Sequence, residues 1–217
     1  MNTLIFGANG QVGKQLVEKL AKDSNVTPIA VIRKDEQKPY FDGLNVETRI
    51  LDLEDDLPAY EAVFNNIDSV IFTAGSGGST GADKTMLIDL DAAVKTINTA
   101  DKLGVKRFVM VSSFDTTRAA IQDADSDFRP YVVAKHFADN VLRDAGLDYT
   151  IVHPGILSDD KETGKVKVAE TVDVAKITRA DVAEVLMSVI ENDNTIGKEF
   201  QVVNGETPIE EAIKSLS

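Results

Sequence analysis

The chain of 217 residues holds two spacings that concentrate chemically useful groups. The first is Gly7-Ala8-Asn9-Gly10-Gln11-Val12-Gly13, three glycines at intervals of three, set between the apolar run Thr3–Phe6 and a helical stripe of Val12, Leu16, Val17 and Leu20. Where a strand turns directly into a helix, Gly7 permits the tight turn, Gly10 lets backbone approach a ligand, and Gly13 lets helix and sheet pack closely. The helix N-terminus then directs N–H groups and the positive end of its dipole at phosphate, so the expected ligand is the pyrophosphate of a dinucleotide. The second spacing is Tyr131 with Lys135, four apart and therefore on one face of a helix. A phenol ordinarily titrates near 10, and a neighbouring ammonium or a cationic nicotinamide favours its ionised form. Tyr131 could then pass a proton to or from a carbonyl or alcohol oxygen while hydride moves at a nicotinamide ring.

A third position bears on which dinucleotide is held. The second apolar run ends Ala30-Val31-Ile32-Arg33-Lys34, where a site for NAD usually places an acid to accept from the ribose hydroxyl. Arg33, helped by Lys34, can pair with a 2′-phosphate in bidentate fashion, which predicts NADP(H) as the preferred cofactor with NAD(H) possible. Nearby Asp35 is the opposing feature.

These residues must be placed by alternating strands and helices. Short apolar runs at Thr3–Phe6, Val26–Ile32, Val46–Leu51, Ser69–Thr73, Arg107–Ser112, Asp148–Val152 and Glu199–Val203 read as strands, with amphipathic segments between them. Such alternation predicts an α/β fold: a doubly wound, mainly parallel Rossmann-type sheet of about seven strands, helices on both faces, in one domain over residues 1–217. Residues 154–217 are expected to add a small substrate-side region, with Ile156–Val172 as a loop that closes over substrate. Pro130 opens a helix with an apolar stripe at Ala134, Phe137, Ala138, Val141, Leu142 and Ala145, and Gly146 stands at the C-terminal cap. A further helix is expected at Arg179–Glu191. Thr207-Pro208-Ile209-Glu210 has the form of a capping box opening a last helix through Leu216. Gly75–Gly81 reads as a glycine-rich loop and Ser158–Gly164 as a polar one. Pro28 conflicts with its strand unless that strand starts at or after it.

Composition narrows the function classes. A net charge of −13 disfavours nucleic acid and anionic membrane as partners, while leaving local phosphate capture open. There is no cysteine and there are only two histidines, His136 and His153, so thiolate chemistry is excluded and no metal site is expected. Met1–Phe6 lacks the apolar length and basic flank of a signal peptide, and no stretch is long enough to span a membrane, which predicts a cytoplasmic protein. The expected partner is a small-molecule substrate; whether the chain is a monomer or a homo-oligomer is left open.

Taken together, GANGQVG, Leu51-Asp52-Leu53, Thr73-Ala74-Gly75, Val111-Ser112-Ser113, Tyr131-Val132-Val133-Ala134-Lys135 and His153-Pro154-Gly155 resemble the short-chain dehydrogenase/reductase superfamily. The likeness is to its compact atypical branch, epimerase-like or NmrA-like, and covers nearly the whole chain. The resemblance implies that Asp52, next to Leu53, meets the adenine amino group. It implies that Ala74, Gly75 and Ser76 line the cofactor, that Val111 and Ser112 border it, and that Pro154 and Gly155 flank the nicotinamide. Ser113 would orient the substrate oxygen, and Lys135 would also bind the nicotinamide ribose. The superfamily commonly carries an asparagine where this chain has Asp89, so the full tetrad is not supported. His153 and Ile156 are candidates for the substrate pocket, and His136 is expected to pack or face solvent.

The leading expectation is an NADP-dependent oxidoreductase of a small carbonyl or alcohol, with epimerase chemistry as a variant on the same hydride shuttle. Two other readings compete: a redox sensor that binds NADP without turnover, and a flavin- or tetrapyrrole-type reductase in which Tyr131 is dispensable. Only about sixty residues follow Pro154, so a large nucleotide-sugar pocket is not expected.

Overall fold

The computed structural model describes residues 1–22, 25–78 and 80–216. Its strands and α-helices run β1 (Asn2–Phe6), α1 (Gln11–Leu20), β2 (Thr27–Ile32), α2 (Lys38–Asp42), β3 (Glu47–Ile50), α3 (Leu57–Val63), β4 (Ser69–Phe72), α4 (Ala82–Lys84) and α5 (Ala93–Leu103). They continue β5 (Arg107–Val111), α6 (Arg118–Asp123), α7 (Arg129–Asp144), β6 (Asp148–Pro154), β7 (Ile156–Ser158), β8 (Lys165–Ala169), β9 (Lys176–Thr178), α8 (Arg179–Glu191), β10 (Lys198–Asn204), β11 (Thr207–Pro208) and α9 (Ile209–Lys214).

Among the described residues the main sheet has nine strands in the order β3-β2-β1-β4-β5-β6-β10-β8-β11. From β3 to β10 neighbours run parallel, and β8 and β11 turn antiparallel at the far edge. This is the doubly wound Rossmann-type fold. Successive residues of β1 divide between two cores, Ile5 facing α1 and α8, and Leu4 and Phe6 facing α3 and α5. Because both faces are covered, the central strands read as unbroken apolar runs rather than alternating ones.

The sheet is wider than the seven strands the sequence predicts. Ile156–Val172 is not a loop: it contains β7 and β8, with β7 pairing β9 in a separate two-stranded sheet and β8 extending the main one. Residues 154–217 thus continue the same sheet as well as adding the β7-β9 pair. Pro28 lies at the second position of β2, opposite Thr3 of β1, so the strand begins one residue before the proline rather than after it. Thr207 and Pro208 form β11, and α9 starts at Ile209 with no side-chain cap and ends at Lys214, so the expected capping box is not made. Ser79, within the Gly75–Gly81 loop, lies outside the described residues.

Helix α7 is capped by Gly146, which takes a φ of +66° as expected. Its buried face differs from the predicted stripe. Phe137 is 40% exposed and lies under the Arg118 guanidinium, whereas Lys135 and Asp139 point inward with Val132, Ala134, Ala138 and Leu142. Two ionisable side chains one turn apart on a buried helix face require partners, and those partners form the site.

Candidate active site

The strand order reverses between β1 and β4, and the loops leaving these strands diverge around a cleft of about 410 Å³ at the C-terminal ends of the strands. Gly7 turns the chain with a φ of +79°, and a Cβ there would lie 2.6 Å from the Ala74 nitrogen. Gly7 O accepts from Gly10 N at 2.9 Å, and Gly10 O accepts from Lys14 N at 2.9 Å as α1 begins. Gly13 packs so closely that a Cβ would sit 2.2 Å from Gly7 O. The turn and packing roles read from GxxGxxG are therefore both present, while Gly10 faces the cleft.

Asn9, Gly10, Arg33, Asp52, Ala74 and Ser76 are among the residues that line this cleft, as do Gly7, Leu53 and Gly75. Ala8 and Gly13 are instead buried beneath it, and Gln11, Val12 and Lys34 are not part of the lining. Arg33 is exposed and carries no ion pair among the described residues. Asp52 Oδ1 accepts from Glu54 N at 3.1 Å. Sequence reasoning missed Gln37, whose Oε1 accepts from Arg33 N at 2.8 Å and Lys34 N at 3.2 Å and so fixes the end of β2. It also missed the Lys84–Glu54 ion pair at 2.5 Å on the cleft wall, whose partners are too distant in sequence to be read together.

Beyond Ser76 the wall becomes charged and buried. Residues 82–103 form a continuous helical rod whose middle, Thr85–Ala92, winds as a π-helix and buries Asp89. Asp89 Oδ2 accepts from Ser76 N at 3.0 Å, and its Oδ1 lies 3.4 Å from Lys135 Nζ, with both side chains at most 4% exposed. Lys135 Nζ also donates to Val111 O at 3.3 Å and lies 5.7 Å from the centroid of the Tyr131 ring. Burial and the nearby Asp89 and Asp139 carboxylates push the Tyr131 phenol above its ordinary value, against the opposing pull of Lys135 and the Ser113 hydroxyl. In the cofactor-free protein the ammonium is present, but burial and its buried counter-ion outweigh it.

Ser112, expected to border the cofactor, turns its hydroxyl away. It donates to Asp139 Oδ2 at 2.8 Å, beside Thr116 Oγ1 at 2.7 Å, and this carboxyl is fully buried. Burial raises the Asp139 pKa, while His153, both hydroxyls and Lys135 work the other way. His153 Nδ1 lies 2.6 Å from the carbonyl of Ser113 and Nε2 lies 3.4 Å from Glu199 Oε2. Both partners can only accept, so both ring nitrogens donate when the imidazole is protonated, and the contacts favour that form. Burial opposes that charge, but Glu199, Asp139 and the Ser113 carbonyl outweigh it and raise the His153 pKa. Glu199 in turn is pulled down to about 2 by His153 and by Arg143, which binds it through two bonds of 2.9 and 2.7 Å. His153 thus holds the backbone of Ser113 rather than reaching into the cleft.

Pro154 ends β6, and Gly155 is required by packing, since a Cβ there would meet Ala175 O at 2.2 Å. Ile156 is 59% exposed at the start of β7. His136 is half-buried, donating to Thr116 O at 2.6 Å and accepting from Asn140, outside the cleft. Among the described residues no helix is long and apolar enough to cross a membrane.

Comparison with known proteins agrees with this architecture. A family model described as NAD(P)H-binding matches residues 7–193. A Bacillus subtilis protein named as the uncharacterized sugar epimerase YhfK is 40% identical over 216 residues, covering all of both chains. Among solved structures, a Bacillus halodurans protein described as an NAD-dependent epimerase/dehydratase superposes with a TM-score of 0.93 at 43% identity, covering all of both chains. The Lactococcus lactis oxidoreductase ylbE superposes with a TM-score of 0.89 at 33% identity, covering 100% of this chain and 96% of its own. The phosphate loop at the sheet's switch point and these matches lead to one conclusion: the chain belongs to the NAD(P)H-binding family, among relatives named as epimerases.

Proposed function

We propose that the chain is an NADPH-preferring oxidoreductase that reduces a small carbonyl compound, with Ser113, Tyr131 and Lys135 at the reacting oxygen. The observation that carries this reading is an unbroken run of contacts from the cleft to the phenol. Ser76 lines the cleft, Asp89 holds its N–H, Lys135 pairs with Asp89, and the Tyr131 ring lies beside Lys135 with the Ser113 hydroxyl in hydrogen-bonding reach.

The residues fit a dinucleotide phosphate. Gly7 and Gly10 leave backbone open at the start of α1, and the unpaired Arg33 guanidinium lines the cleft at the end of β2, where a 2′-phosphate would lie. Asp52 would meet the adenine, and Lys135 the nicotinamide ribose. A bound nicotinamide supplies the hydride. In the direction of reduction, Ser113 orients the carbonyl oxygen, and Tyr131 donates the proton that turns it into a hydroxyl. Solvent then restores the Tyr131 proton.

The relatives named as epimerases support a second outcome of the same chemistry, in which hydride returns to the substrate and no cofactor is consumed. Incubation with a panel of small carbonyl compounds, following NADPH absorbance and product stereochemistry, separates the two. Tyr131→Phe is expected to lower turnover about 10²–10⁴-fold while preserving the thermal stabilisation given by NADPH. Unchanged turnover would refute the proton-donor role and favour a flavin- or tetrapyrrole-type reductase. NADPH binding without turnover of any substrate would favour a sensor.

A further inference from the structure

We propose that Asp89 is the buried counter-ion of Lys135, and that by neutralising it Asp89 keeps Tyr131 as the protonated phenol, so that the resting site is built to donate a proton rather than to take one. Only the catalytic consequence rests on the reading above; the protonation state of Tyr131 does not.

A lone ammonium beside a buried phenol would attract the phenolate strongly, because little water screens it. Here the ammonium is not alone. Asp89 Oδ1 lies 3.4 Å from Lys135 Nζ, and the pair is sealed from solvent. Opposite charges at this distance oppose each other at a third group, so Asp89 offsets part of the pull that Lys135 exerts on the phenol. The other groups facing the phenol and this pair add no cation: Asp139 lies one turn along α7 from Lys135, and the Ser113 hydroxyl comes from the end of β5. Cationic His153 faces Asp139 and Glu199 and is itself compensated. The site therefore carries no uncompensated positive charge, and burial decides in favour of the neutral phenol.

Two features show that the fold accommodates this carboxylate. Ser76 N donates to Asp89 Oδ2 at 3.0 Å, tying it to the cleft wall. A Cβ on Gly75 would lie 3.0 Å from Asp89 Oδ1, so the wall also narrows to a glycine where the carboxylate sits.

Asp89→Asn keeps the shape and an acceptor for Ser76 N but removes the charge. The chain has no tryptophan and only four tyrosines, so ionisation of a phenol is visible in near-ultraviolet absorbance, and subtracting the titration of Tyr131→Phe isolates Tyr131. In the cofactor-free wild-type protein, no Tyr131 ionisation is expected below pH 10, the ordinary phenol value. In Asp89→Asn, the Tyr131 signal is expected to move down by about 1–2 pH units or more. A wild-type Tyr131 that ionises below pH 10, or a folded Asp89→Asn protein whose Tyr131 titrates with the wild type, overturns the proposal. If Asp89→Asn does not fold, Asp89→Ser is titrated in its place, with the same two outcomes. Since no substrate is used, failure of the carbonyl-reductase reading would leave this result standing, and the reverse also holds.

Discussion

Gly13 and Gly10 lie three residues apart in one loop, yet alanine should fail at them for different reasons. At Gly13 the added Cβ would sit 2.2 Å from Gly7 O and 2.9 Å from the Ala8 Cα, both backbone atoms in a turn fixed by Gly7. Restoring an ordinary carbon–oxygen contact requires α1 to retreat from β1 by about 1 Å. Overpacking costs about 1–3 kcal/mol, and against two backbone atoms this close the upper end applies, while the gain in helix propensity returns about 1 kcal/mol. We expect Gly13→Ala to lose about 2 kcal/mol net, which for a chain of this size lowers Tm by about 4–8 °C. Gly10 has a φ of −74° and a ψ of 170°, which alanine adopts freely, and its Cβ would stand 3.1 Å from Gly7 O. Gly10→Ala should therefore stay within about 1 kcal/mol of wild type without cofactor, while its methyl occupies the surface that pyrophosphate must approach. Urea denaturation of the free proteins and thermal melts with added NADPH measure both effects. At NADPH a hundredfold above its dissociation constant the wild type should gain about 2.7 kcal/mol, and Gly10→Ala little of it. A Gly13→Ala protein as stable as wild type, or a Gly10→Ala protein stabilised fully by NADPH, would refute the reasoning.

NADPH should raise the wild-type Tm more than NADH at equal concentration, and Arg33→Ala should remove the difference by weakening NADPH binding about 10–100-fold, the worth of one charge-assisted pair; equal shifts in the wild type would refute the 2′-phosphate role. Because the His153 pKa is raised on folding, its contribution to stability is complete below about 6.5 and is lost as pH rises through the folded value. Glu199, held at about 2, contributes above about 4.5 and loses that contribution only in strong acid. Unfolding free energies measured from pH 5 upward should thus fall more steeply in wild type than in His153→Gln, and parallel curves would count against a cationic His153. Buried Asp181 accepts from Thr163 N, Gly164 N and the Thr163 hydroxyl at 2.8–3.1 Å and binds Asn204 Nδ2 at 2.5 Å. Asp181→Ala strands several of these donors and should cost about 2–4 kcal/mol in urea unfolding, with NADPH affinity changing little.

The parts of this protein that the sequence determines are those encoded locally. Gly7, Gly10 and Gly13 specify a strand-to-helix turn through backbone sterics alone, Tyr131 and Lys135 share a helix face through 3.6-residue periodicity, and doubly covered strands such as β1 and β4 announce themselves as apolar runs. Helix α8 is likewise legible to the residue. The short strands β7, β8, β9 and β11 escape such reading because their stability comes from partners distant in sequence. Lys165–Ala169 is a strand only because Asn204 and Thr207 bring edges to it.

The charge state of the site belongs to tertiary structure. Asp89 lies 46 residues from Lys135 in sequence, on a different helical segment, and only packing makes it that lysine's counter-ion rather than a solvated helix residue. The same packing exposes Phe137 and buries Asp139, turns Ser112 away from the cleft, and makes His153 a support for Ser113. Spacing tells which residues can meet along one element. The dielectric they meet in, and the charges gathered around them, depend on what the rest of the chain packs against that element, and these decide whether Tyr131 holds its proton.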